Sequence, residues 1–160
     1  MVKEYSIDEL DRKIITELQK DGRKSFREIA KDVDSTAVTV INRVNKMEER
    51  GIVQGYTAKI DYRKLGYHVV AAVELIVKGE HLKDIEEMLD DHKNVTAVYR
   101  ITGDTDLLII SKFKEREQLG SFVVDFLLDS NMVEKTVTHV AFDTFSEKHN
   151  IELGEEDVTK

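Results

Sequence analysis

The chain has 160 residues, of which 41% are hydrophobic and 35% charged, with no Cys and a formal net charge of −8. This length holds one domain or two small ones, and the apolar content suffices for compact cores. Disulfides and thiolate metal sites are excluded, no apolar run approaches the roughly 20 residues of a membrane span, and MVKEYSIDEL lacks the apolar stretch of a signal peptide. A soluble, cytoplasmic protein is expected. The charge is unevenly placed: residues 1–60 hold 12 Lys+Arg against 11 Asp+Glu, and residues 61–160 hold 12 against 21.

Three amphipathic helices are predicted at the start. Ile7, Leu10, Ile14, Ile15 and Leu18 form the first apolar stripe, with Ser6 and Glu9 as its capping box and Asp21-Gly22 as its stop. Phe26, Ile29, Ala30 and Val33 form the second, opened by Ser25 with Glu28 three residues on. After a short break at Asp34-Ser35, Thr36 caps a third helix whose stripe is Ala37, Val40, Val44 and Met47, and Gly51 supplies a left-handed exit. Two short helices meeting at so tight a turn form a helix-turn-helix, sized to place the second helix in the DNA major groove.

That helix faces outward with Val38, Thr39, Asn42, Asn45 and Lys46, and with Arg43 at its flank. Asn reads adenine bidentately and Val or Thr methyls contact the thymine methyl, so Val38, Thr39 and Asn42 are the candidate base readers. Arg43 and Lys46, helped by Arg23 and Arg27, are candidates for phosphates, with Lys24, Lys31 and Arg50 nearby and Ser35 and Thr36 at the turn. A three-helix packing unit with a solvated face would show the same spacing. The head's net charge of +1 is a weak footprint for nucleic acid, so a symmetric oligomer presenting several heads is expected.

The second half follows a different pattern. Residues 53–60 are predicted extended, joining the head to a strand over 68–77 (HVVAAVELIV). A helix with Leu82, Ile85, Met88 and Leu89 comes next. Val95–Thr102 is a strand with Val95, Ala97, Tyr99 and Ile101 on one face, Gly103–Asp106 a turn, and Leu107–Phe113 a third strand. Leu119, Phe122, Val123, Phe126 and Leu127 stripe a second helix. Val133–Phe145 closes as a fourth strand, with Val133, Lys135, Val137, His139, Ala141 and Asp143 opposite Glu134, Thr136, Thr138, Val140 and Phe142. The order β-α-β-β-α-β is the ferredoxin-like split unit, an antiparallel sheet with helices on one face. The other face then needs a partner or must be polar, and a strand with two apolar faces, such as the first, argues for sheet-on-sheet dimerisation. The tail after Ile151 (ELGEEDVTK) is acidic and expected to be mobile.

The strings IDELDRKIITELQKDGRKSFREIAKDV, NRV…MEERGIV…GYTAKID and TGDTDLL, in this order, resemble the Lrp/AsnC (feast/famine) transcription regulators from about Ile7 to about Phe145. The resemblance implies an α+β chain: a three-helix, winged-type helix-turn-helix domain (1–52), an extended hinge (53–66), and a ferredoxin-like domain (67–146) that binds effector and forms oligomers. An acidic tail (147–160) follows. It also implies homodimers assembling to tetramers or octamers, palindromic double-stranded DNA near promoters, and an amino-acid effector. Three positions depart from the family pattern: Asp34 stands where Gly is general, Ile41 where a basic residue is frequent, and Thr105 or Leu107 where an aromatic is common.

A free amino acid needs an anion for its ammonium and donors for its carboxylate. Asp104 and Asp106 offer the first, Gly103 lets backbone N–H groups approach with Thr105 between, and Thr136 or Thr138 offers hydroxyls. By resemblance such a ligand sits between dimers. A plain strand–turn–strand would carry the same Gly and Asp. No enzyme, metal or cofactor is expected: His68, His81, His92, His139 and His149 have no metal-ligand spacing, and no phosphate-cradling Gly loop is present. The resulting expectation is a sequence-specific transcription regulator. An architectural DNA-wrapping protein and a metabolite-sensing module acting through a protein partner are the alternatives.

Overall fold

The computed structural model describes residues 6–148, 150–154 and 157–158. His149 and part of the acidic tail lie outside them. The chain forms two compact units, residues 1–59 with 148–160, and residues 60–147. No described helix is long and apolar enough to cross a membrane.

The first unit holds α1 (Glu9–Lys20), α2 (Phe26–Asp32) and α3 (Ala37–Glu49). Ile14, Ile29, Val40, Val44 and Met47 are fully buried, so the three stripes close on one small core. Ser25 and Glu28 make the expected capping box, and Thr36 caps α3. At the other end of α3 the Gly51 N–H donates to the Glu48 carbonyl and the Ile52 N–H to the Met47 carbonyl, both at 2.9 Å. With Gly51 at φ +70°, this is the Schellman closure that satisfies a helix's last carbonyls. The start of α1 differs from expectation. Asp8, not Ser6, is the N-cap, and its box partner is Asp11 rather than Glu9. Both pairs have capping-box spacing; a cation from α3, described below, binds the Asp8/Asp11 pair.

No strand follows α3 in this unit among the described residues. Tyr56 donates its hydroxyl to Glu48 at 2.9 Å and packs beside Gly22. The segment read as an acidic tail returns along α1: the Arg12 guanidinium donates to the Leu153 carbonyl, Gln19 to the Ile151 carbonyl, and Asn150 to the Gln19 carbonyl.

The second unit contains β1 (Val69–Val77), α4 (Leu82–Asp90), β2 (Val95–Arg100), β3 (Leu107–Phe113), α5 (Arg116–Ser121) and β4 (Val133–Val140). The sheet order is β2-β3-β1-β4, antiparallel throughout. α5 continues as a π-helix over Phe122–Leu128, whose wider turn is seen in the Asp129 N–H bonded to the Val124 carbonyl at 3.0 Å. The helices cover one sheet face, where Ala71, Val73, Leu75, Ile85, Leu89, Leu107, Ile109 and Leu127 are fully buried.

The strands correct three expectations. A bulge between Val95 and Ala97 turns Val95 toward the helices, away from the face of Ala97 and Tyr99. A second, between Ile76 and Val77, does the same to Val133 relative to Lys135, Val137 and His139. One extra residue in a strand of period two reverses every assignment beyond it. β4 ends at Val140, five residues before the predicted Phe145. The hinge, predicted extended, holds a 3-10 turn over Tyr62–Leu65, closed by Gly66 at φ +89°.

The helix-free face carries Val70, Ala72, Glu74, Ile76, Tyr99, Leu108, Ile110 and Val137. Near one end sits Lys112, buried although charged. Its ammonium lies 2.6 Å from the Glu147 carboxylate and 5.2 Å from the centre of the Tyr62 ring. Arg63 and Asp143, in the same unit, approach at 3.5 Å.

Candidate functional site

The first candidate site is the α2–turn–α3 unit. Asp34 holds the turn at φ +51°, in the left-handed region where Asp is tolerated better than most residues, so the turn forms without the Gly general at this place. The Ser35 N–H donates to the Ala30 carbonyl at 2.8 Å, fixing the step into α3. The Thr36 hydroxyl accepts the Thr39 N–H at 3.1 Å, and the two hydroxyls lie 2.8 Å apart. With Val40, Val44 and Met47 facing the core, Val38, Ile41, Asn42, Asn45 and Lys46 stand exposed on the opposite side, and Thr39 is half-buried at its edge.

The expected cations divide into two groups. Arg23, Arg27, Lys31 and Lys46 are exposed or nearly so and make no ion pair among the described residues. Arg43 is committed elsewhere: its guanidinium lies 2.5 Å from Asp8 and 3.3 Å from buried Asp11, joining α3 to the cap of α1. Burial opposes the charge on Asp8, but the Asp11 N–H and the Arg43 guanidinium outweigh it and hold the carboxyl below its ordinary range. Lys24 is committed as well. Its ammonium bridges Asp32 and Glu17, which raises its pKa. Sequence spacing could not separate these cations, because the acids holding them come from other helices.

The second candidate site is the loop before β3. Gly103 has φ +125°, which favours glycine. Asp106 is built into the sheet: its carboxylate accepts the Val77 N–H at 2.8 Å, its own N–H donates to the Leu75 carbonyl at 2.8 Å, and its carbonyl accepts from Ile101 at 2.9 Å. The Thr105 hydroxyl donates to Glu74 at 3.1 Å on the helix-free face, where His139 also meets Glu74 at 3.4 Å. Asp104 is exposed and makes no hydrogen bond or ion pair among the described residues. Thr136 and Thr138 pair with Leu75 and Val73 and so lie on the helix side of β4, opposite to Thr105. The structure thus brings Gly103 to Asp106 together, sets the two threonines on the other face, and leaves Asp104 as the carboxylate without a structural role. Among the described residues, no group of three acids or histidines is placed to hold a metal.

A compact helix-turn-helix whose second helix turns an exposed face outward, followed by a one-sided ferredoxin-like unit, defines a two-domain DNA-binding transcription regulator. Residues 7–48 match the AsnC-type helix-turn-helix domain, and residues 70–151 match the Lrp/AsnC ligand binding domain. The chain belongs to the Lrp/AsnC family of transcription regulators. It is 42% identical over 146 residues to an uncharacterised HTH-type transcriptional regulator of Pyrococcus furiosus, covering 91% of this chain and 98% of that one. It is 34% identical to the HTH-type transcriptional regulator FL11 of Pyrococcus abyssi, covering 89% and 93%. Among solved structures, E. coli AsnC superposes with a TM-score of 0.84 at 25% identity, covering 93% of this chain and all of that one. A Neisseria meningitidis transcriptional regulator solved as an L-Met complex gives 0.85 at 22% identity, covering 91% and 96%.

Proposed function

We propose that two copies of this chain present their α3 helices to successive major grooves about 34 Å apart, over a pseudo-palindromic promoter site. Val38, Thr39 and Asn42 read bases in this arrangement. Arg23, Arg27 and Lys46 contact phosphates, with Ser35 and Thr36 beside the backbone at the turn. Arg43, which spacing alone puts among the phosphate contacts, is assigned to anchoring α3 on α1. The observation that carries this reading is the outward polar face of α3 opposite a fully buried stripe. The head's net charge of +1 makes one copy a weak binder, so several heads are needed.

The helix-free sheet face supplies the means of pairing, since Val70, Ala72, Ile76, Leu108, Ile110 and Val137 lie there without helices over them. Such dimers then assemble to a tetramer or octamer. The domain limits are 1–52 for the reader, 53–66 for the hinge, 67–146 for the effector and oligomer domain, and 147–160 for the tail. A DNA partner supports an intracellular, cytoplasmic protein in this reading, and no catalytic step is assigned to it.

The Gly103–Asp106 loop is proposed to take an amino acid whose ammonium meets Asp104, because Asp106 already accepts a backbone N–H. The L-Met in the Neisseria relative supports this ligand class. An amino-acid panel should include one member that raises the melting temperature, since ligand at about 100 times its dissociation constant adds roughly 2.7 kcal/mol. Silence across the panel, in melting and in oligomer size, would remove the effector.

Selection of bound fragments from genomic and random DNA, with and without amino acids, tests the whole proposal. On the selected site Asn42→Ala should cost about 1–3 kcal/mol while sparing random DNA, whereas Lys46→Ala should weaken both. Equal loss on both sequences would defeat base reading by Asn42.

A further inference from the structure

We infer that the reading face of α3 is directed at A·T pairs, and that Val38 and Ile41 recognise thymine through its 5-methyl group. The inference rests on the DNA-binding role proposed for α3 and specifies what that helix reads.

Three observations carry it. The first is the position of two branched aliphatics. Val38 is 68% exposed and Ile41 39% exposed, on the side of α3 opposite Val40, Val44 and Met47. Neither residue type is a strong helix former, so propensity gives no reason for them there, and their outer surface is uncovered among the described residues. Lone exposed apolar residues are ordinary. These two are a turn apart, at i and i+3, beside Asn42 and Asn45 at i+4 and i+7. In the major groove the apolar group offered by the standard bases is the thymine methyl.

The second observation is the pair of asparagines. Asn42 and Asn45 are exposed, and their carboxamides make no hydrogen bond among the described residues. Asn pairs bidentately with adenine, so an A·T pair suits both halves of the face: adenine for the carboxamide, thymine for the aliphatic. The third is Arg43. The commonest guanine contact is a bidentate cationic side chain, and the guanidinium in the first two turns of α3 is held by Asp8 at 2.5 Å and Asp11 at 3.3 Å. Lys46, one residue past Asn45, is assigned to phosphates in the reading proposed for α3.

The test uses the full chain and the DNA it selects. Each thymine of the selected half-site is replaced singly by deoxyuridine, which removes the methyl alone. One or two positions per half-site should lose about fourfold in affinity, the equivalent of one buried methyl group. Val38→Ala and Ile41→Ala should each abolish the thymine–deoxyuridine difference at one position. Their melting temperatures should match the parent, because both side chains are exposed. Indifference to deoxyuridine at every position would overturn methyl readout while leaving DNA binding intact, as would variants that lose affinity equally on both duplexes. Enrichment of no sequence at all would instead overturn the regulator role of α3, and this inference with it.

Discussion

At Asp34 a single side chain bears on the helix-turn-helix turn. Its φ of +51° is costly for most L-residues and worst for β-branched ones. Asp34→Val should therefore destabilise the head by about 1–2 kcal/mol in urea unfolding, while Asp34→Gly should leave it within a few tenths. Equal stabilities for the three side chains would mean that the turn relaxes. At this scale the sequence was legible wherever a cap bonds within its own turn: Ser25 with Glu28, Thr36, and Gly51 needed only their neighbours. It was illegible where a distant group decides. Ser6/Glu9 and Asp8/Asp11 have the same capping spacing, and the Arg43 guanidinium meets the second pair from 35 residues away.

Among the elements, the π-helix over Phe122–Leu128 makes a titratable cluster. The His92 ring packs on Phe122 and Phe126 at 4.8 and 4.5 Å, and its Nδ1 accepts the Asn94 N–H at 3.2 Å, as a neutral imidazole can. Burial, and then the charge of Lys93, lowers the pKa of His92 below its ordinary 6.5. A lowered folded-state value means that the unfolded chain takes up the proton first as pH falls. The stability tied to neutral His92 is thus complete above about pH 6.5 and is lost as pH drops through the lowered value. Denaturant titrations over this range should show that loss in the second unit, and His92→Phe should abolish it. An unchanged pH profile in the variant would assign the effect to other groups. Runs of β-forming residues marked the first and third strands, and two-residue faces the second and fourth. The period-two faces missed the two bulges, since an extra residue leaves no trace in composition, and so put Val95 and Val133 on the wrong face.

On the scale of the whole molecule, Lys112 holds together the two places where the chain passes between its units. Residue 60 begins the second unit and Glu147 ends it; Tyr62 and Glu147 both lie against the Lys112 ammonium. Side-chain exposures of 10% for Lys112 and 40% for Glu147 make the pair unequal. Removing Glu147 leaves a buried ammonium without its acid, whereas removing the ammonium leaves a carboxylate that water can reach. Glu147→Ala should thus lower the melting temperature more than Lys112→Met. The opposite order would show that the pair is held by packing on Tyr62 alone. The signal for Lys112 was present as one cation inside the apolar run LLIISKF, but its partners lie 35 and 50 residues away and could not be read from it.

The return of the C-terminal segment to α1 has a kinetic side. Leu153 and Arg12 meet across 141 residues of chain, so in an unfolded polymer that contact would close a very long loop against its entropy. Once residues 60–147 have folded, most of that loop is no longer flexible, and its two ends emerge beside one lysine. The order of events is thereby constrained. The expected order is that the three helices collapse early on local contacts and the tail docks after residues 60–147 have folded.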